Sequence, residues 1–174
     1  MKTYRIDNRK LKIGDDLNPQ EKYQAELTGT KKCVEDILEK CRPETKPKRK
    51  SVLMLFEDFN DARNHWVKQK DAIFYQTAIT ENEILHKGDY EIVEQIYCAL
   101  NNQDIEKATI LANDYWDGKM TENPIVEIFV SQSDIDKIIS DSEEQRKQEL
   151  KIKHSNAFGA FKPDSKIKRV TEEE

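Results

Sequence analysis

Cysteine is scarce in this chain, with three in 174 residues (Cys33, Cys41, Cys98), and no two form a CxxC pair. An odd, widely spaced set argues against a disulfide framework and for free thiols in a reducing, cytoplasmic setting. Cys33 and Cys98 fall in helical patterns and are expected as small core residues. Glycine is equally sparse, at five. No GxGxxG or GxxxxGK[ST] run follows a strand, so neither a Rossmann nor a P-loop nucleotide site is supported. There is no GxSxG elbow. The three histidines lack metal-ligand spacing, and no metal site is expected. No apolar run approaches the roughly 18 residues of a membrane span, and Met1 to Asn8 lacks the apolar core of a signal peptide.

What the chain has in plenty is charge. Charged residues make up 36%, equal to the hydrophobic share, and the mean hydropathy is -0.88. Such a composition fits one modest core with solvated segments. The charge is uneven. Residues 1–50 carry 14 Lys/Arg against 9 Asp/Glu, residues 51–139 carry 7 against 17, and residues 140–174 balance at 8 and 8. The basic N-terminal third reads as a solvated face or as a patch for an anionic ligand.

Periodicity orders the elements. Tyr4 to Ile6 reads as a short strand, and Gly14 to Asp16 and Asn18-Pro19 as turns. Glu21 to Cys41 reads as a helix with a stripe at Val34, Ile37 and Leu38. Pro43 to Lys50 is a charged loop. The runs SVLMLF (51–56), AIFYQTAI (72–79) and IVEIFV (125–130) read as strands. Helices are expected from Asn60 to Lys70, with Asp58 or Asn60 as cap, and from Tyr90 to Leu100. Another follows Asp104 through Tyr115 and ends at Gly118. A last helix is expected from Asp134, continuing to Ile152. The reading is a single α+β domain over residues 1–150 and a charged, flexible tail over 151–174, in which Phe158 and Phe161 could dock.

Glu127 is the chemical anomaly, a carboxylate inside an apolar strand. Burial of an unpaired charge there would be costly. Either the strand is an edge, with Glu127 facing water or pairing with a Lys or Arg, or the carboxylate has a task. His86-Lys87-Gly88-Asp89 is a second polar cluster. Asp89 is placed to cap the next helix, and His86 either lines a cleft or lies in a solvated turn. Tyr115 and Trp116, at a helix end, suit packing between helix and sheet or stacking on a cofactor.

Several of these blocks, taken in order, resemble the ADP-ribosyltransferase superfamily. Tyr4-Arg5 resembles the aromatic-Arg pair on its first core strand. Leu53 to Ala62, with Trp66, is similar to the second strand and helix of the rifamycin-modifying branch. Ala112 to Gly118, Glu127 to Val130 and then Ile135, Ile138 and Ile139 resemble the late region of DNA-targeting members. Met54 and Phe56 stand near the family's stacking tyrosine, a role Tyr75 on the next strand could fill. Ile125 replaces the Glu or Gln of arginine-modifying members.

The resemblance implies two small, split sheets with helices packed on one side, and NAD as substrate in the cleft between them. It implies Glu127 as the catalytic carboxylate, with Arg5, Tyr4, Tyr75 and His86 on the NAD side. The acceptor would be a macromolecule, protein or nucleic acid, and the chain itself a small domain of bacterial or phage type. The alternative is a catalytically inactive relative that engages a host or partner protein through the 134–152 helix and the tail.

Overall fold

The structure, a computed structural model, describes residues 1–20 and 27–159, with side chains in the last helix described to residue 153. Seven strands form one antiparallel sheet: β1 (Lys2–Asp7), β2 (Asp16–Leu17), β3 (Leu53–Phe56), β4 (Ile73–Ala78), β5 (His86–Asp89), β6 (Val126–Val130) and β7 (Ser133–Ser140). Their order is β2-β7-β4-β1-β3-β6-β5. Five helices are described: α1 (Gly29–Cys41), α2 (Phe59–Trp66), α3 (Tyr90–Asn101), α4 (Ile105–Trp116) and α5 (Glu143–Gly159). The fold is mixed α/β.

The sheet has a weak centre. β1 pairs with β4 over six residues, Lys2 to Asp7. With β3 it shares one register pair, Tyr4 with Phe56. Two halves, β2-β7-β4-β1 and β3-β6-β5, are thus joined at a single point in one hydrogen-bonded sheet. The Arg5 side chain bridges the seam, its Nη1 donating to the Met54 carbonyl at 2.9 Å.

Alternation of side chains gives the sheet two faces. On one, Leu53, Leu55, Tyr75, Ile128, Val130 and Ile135 form an apolar cluster. The other face carries the helices. Phe129 packs with Val34, Leu38, Ile96 and Trp116 of α1, α3 and α4. Ile6 and Phe74 pack with Ala62 and Trp66 of α2. Apolar residues at helical spacing dictate this arrangement, because each helix must bury its stripe. Caps fix the helix starts. Asp58 accepts from the Asn60 and Asp61 amides, Asp89 from Glu91 N and Asp104 from Lys107 N. Gly118, at φ +74°, ends α4 in the left-handed region that favours glycine.

Four expectations need correction. The helix expected from Asp134 to Ile152 is instead strand β7 followed by α5. Register shifts against β4, between Phe74 and Tyr75 and between Gln76 and Thr77, insert extra residues into the ladder. They set Ile135 and Ile138 three apart on one face, which imitates a helical period. Of the helix expected from Glu21 to Cys41, residues 21–26 lie outside the described residues, Leu27 and Thr28 are not helical, and α1 runs from Gly29. Cys33 and Cys98 are exposed rather than in the core, since they sit beside the buried stripes at Val34 and Ile96. Of the expected tail, 151–159 continues α5, and 160–174 lies outside the described residues.

Candidate functional site

A cavity of about 290 Å³ opens at the seam between the sheet halves. Arg5 of β1, Met54 and Phe56 of β3, and Glu127 of β6 line it, with His65 of α2 and Tyr90 of α3. The volume is at the low end for small-molecule sites. The strands make the space because β1 and β3 share a single register pair, Tyr4 with Phe56. Lys31 and Lys50, both exposed, and the buried Arg49 stand on the same lining.

Glu127 sits in mid-sheet, in register with Phe56 on one side and Gly88 on the other. It is 4% exposed, so its charge needs compensation. Arg49, from the short 3-10 turn Arg49–Ser51, supplies it. Its Nη1 donates to Glu127 Oε1 at 2.8 Å. The same guanidinium donates through Nε to Glu35 Oε2 at 3.0 Å and through Nη1 to the Tyr115 hydroxyl at 2.5 Å. Tyr115 in turn donates to Glu127 Oε1. Both donors to Glu127 therefore arrive at one carboxylate oxygen. The guanidinium also lies over the rings of Tyr115 and Phe129, at 5.3 and 5.4 Å from their centroids. Burial works against its charge, but Glu127, Tyr115 and Glu35 outweigh it and hold Arg49 firmly protonated. For Tyr115, burial raises the phenol well above its ordinary range. Arg49 opposes the rise and Glu127 adds to it.

Arg5 belongs to a second cluster, whose centre is Asp7. Asp7 is buried and receives Arg5 Nε at 3.3 Å, Arg9 Nε at 2.9 Å and Gln20 Nε2 at 3.1 Å. Burial alone would raise this carboxyl, but Arg9 and Arg5 pull it below the usual carboxylate range.

The other residues singled out from the sequence lie elsewhere. Tyr75 is opposite Arg5 in the β1–β4 register, so the two side chains leave the sheet on the same face, and Tyr75 belongs to the apolar cluster on the face away from the helices. Its hydroxyl donates to the Arg9 carbonyl at 2.6 Å and accepts from Leu11 N at 3.0 Å, and it does not line the cavity. Tyr4 packs on Phe59 and Phe74, off the lining. His86 is buried among the rings of Tyr115, Trp116 and Phe129, with Lys46 Nζ 3.3 Å from its Nδ1, and does not line the cavity. Burial first, then Lys46, push its pKa down to about 4. Trp116 is held by a hydrogen bond from its Nε1 to the Leu38 carbonyl, at 2.8 Å.

Sequence reasoning brought Arg5 and Glu127 to one cavity and missed Arg49, Glu35 and His65. Arg49 was hidden inside a run of basic residues that reads as solvated loop. The signal available was Glu127 itself, since a carboxylate buried in mid-strand demands a cation.

Among the described residues no group of His, Cys, Asp and Glu could hold a metal ion, and no helix is long and apolar enough to cross a membrane. No family model and no curated protein matches the chain.

Proposed function

We propose that the seam cavity takes NAD as a substrate and that the chain is an NAD-dependent ADP-ribosyltransferase-like protein acting on a macromolecule. The observation that carries this reading is that Arg5 and Glu127, from opposite halves of the sheet, line one cavity. A cation and a carboxylate across one cleft suit a ligand with a diphosphate at one part and a cationic pyridinium ribose at another. The planar, permanently charged fork of Arg5 suits the diphosphate, with Lys31 and Lys50 adding positive charge. Phe56, His65 and Tyr90 offer flat surfaces for a ring. Glu127 is the carboxylate that would stabilise positive charge developing on the ribose as nicotinamide leaves. The residues therefore fit the ligand in charge and shape. The cavity's size suits one nucleotide half.

A second reading has its own observation. Arg49 and Tyr115 both engage Glu127 Oε1, as they would in a purely structural buried pair. On that reading the chain is an inactive relative that binds a partner protein.

The deciding assay is nicotinamide release and label transfer from NAD, with cell extract as acceptor, for wild type and Glu127→Gln. Circular dichroism confirms that the variant is folded, since Arg49 loses its buried counter-charge. Wild-type turnover that falls by about 100-fold or more in the variant supports the transferase. NAD binding without turnover supports the inactive relative. Absence of NAD binding by the wild type rules out the first reading.

A further inference from the structure

His65 stands on the cavity wall, and the reading so far gives it no chemical task beyond a flat surface. Its ring lies 4.9 Å from that of Phe56, tilted by 38°, and 4.8 Å from that of Tyr90, edge-on at 86°. All three residues line the cavity with Glu127. The two neighbours fix the plane of the imidazole without using its nitrogens. Among the described residues, neither ring nitrogen of His65 is engaged in a hydrogen bond. His86 differs, with Lys46 against its Nδ1 and no access to the cavity.

The charged groups around His65 come from every element packed near it. Burial lowers its pKa first, followed by Lys68 just beyond α2, with Lys153 of α5 acting in the same direction. Glu94 of α3 and Glu127 of β6 oppose them, and the net shift is downward. At neutral pH the ring is uncharged, with one nitrogen carrying a lone pair. A neutral imidazole held in place on the wall of a cavity that a carboxylate also lines is suited to general-base catalysis.

We infer that His65 is the proton acceptor for the nucleophile that attacks in this cavity, an inference that rests on the transferase reading. The glycosidic bond between nicotinamide and the anomeric carbon of its ribose breaks. Its electron pair leaves with nicotinamide, which departs neutral. An acceptor O–H or N–H group, or water in the hydrolytic reaction, places its lone pair on the anomeric carbon and forms the new bond. The proton it sheds passes to His65, and the imidazolium then returns it to solvent. Glu127 carries the electrostatic part of this division of labour and His65 the proton.

The test uses the full chain and the conservative variant His65→Phe, which keeps the ring between Phe56 and Tyr90. NAD binding is measured by calorimetry, and nicotinamide release is followed from pH 5 to 8. We expect wild-type activity to fall on the acid side as His65 protonates. His65→Phe should bind NAD within about threefold of wild type, lose about 100-fold in rate and lose the acid limb of the profile. If that variant fails to fold, His65→Gln is read the same way. A variant that keeps both rate and acid limb overturns the role of His65 and leaves the transferase reading standing. A variant that no longer binds NAD makes His65 a binding contact and also overturns it. A wild type that neither binds nor cleaves NAD overturns the transferase reading, and this inference with it.

Discussion

Gly88 and Tyr115 are fitted to one another: a Cβ added at Gly88 would lie 2.6 Å from Tyr115 Cζ and 2.7 Å from its hydroxyl oxygen. Gly88 faces Glu127 across β5 and β6, so the space left by its absent side chain is what admits the phenol to the carboxylate. Gly88→Ala should therefore displace Tyr115 from Glu127 and Arg49. The expected loss is about 2–4 kcal/mol, from overpacking and from a buried hydrogen bond left unmade. Urea unfolding of the variant measures it, and Gly88→Ala combined with Tyr115→Leu should recover part of the loss.

Arg49 is the cation that makes a buried Glu127 tolerable. Arg49→Met should destabilise the fold by about 3–5 kcal/mol, because it leaves that carboxylate buried without its counter-charge. Arg49→Met with Glu127→Leu should recover most of this, since replacing both partners by apolar groups removes the penalty. A double-mutant cycle by chemical denaturation reads the coupling. Independent effects that simply add would mean that the two charges do not depend on each other.

Stability should depend on pH through His86. In the folded chain burial, then Lys46, push this group down to about 4, against an ordinary value near 6.5. Between those values the unfolded chain binds more protons, so stability is full above about pH 6.5 and falls as the pH drops toward 4. His65, lowered in the same direction, adds to the slope. Asp7 acts in a different window. Its carboxyl, which burial would raise but Arg9 and Arg5 depress, contributes stability that is lost as the pH falls below the ordinary carboxylate value. Unfolding free energies from urea titrations at pH 7.5 and 5 should differ by about 2–3 kcal/mol in wild type. His86→Phe, which suits the ring cluster of Tyr115, Trp116 and Phe129, should flatten most of that difference.

Asp89 ties three segments together. Its carboxylate accepts from Glu91 N at 2.9 Å, Thr121 N at 2.8 Å, Thr121 Oγ1 at 2.7 Å and Ile125 N at 3.0 Å. It caps α3 and anchors the chain that enters β6, the strand of Glu127. Asp89→Ala should cost about 3 kcal/mol, more than a surface cap alone. Thermal unfolding checks the size, and hydrogen exchange at Glu91, Thr121 and Ile125 checks the cause.

The legible parts of the fold were those with an unambiguous period. The apolar runs at 51–56, 72–79 and 125–130 read as strands, and the stripes of α3 and α4 read as helical faces. Asp58, Asp89 and Asp104 were readable as caps because a short acidic side chain before an apolar stripe has few other uses. What failed was β7, where bulges against β4 moved the isoleucines to a three-residue spacing. The site was half legible. Glu127 announced itself as a charge among apolar neighbours, whereas Arg49 lay inside Lys46 to Lys50 and looked like its solvated neighbours. Tyr75 does not line the cavity because it lies on β4, one strand farther from the seam than Arg5, and the single register pair between β1 and β3 is not written in any local pattern.

The central claim is that the seam cavity binds NAD between Arg5 and Glu127. Titration of NAD into uniformly labelled protein, followed by amide chemical shifts, tests it most directly. The account predicts saturable shifts at Arg5, Met54, Phe56, His65, Tyr90 and Glu127, with Tyr75, off the lining, unmoved. Shifts confined to other surfaces, or none at millimolar NAD, would contradict it.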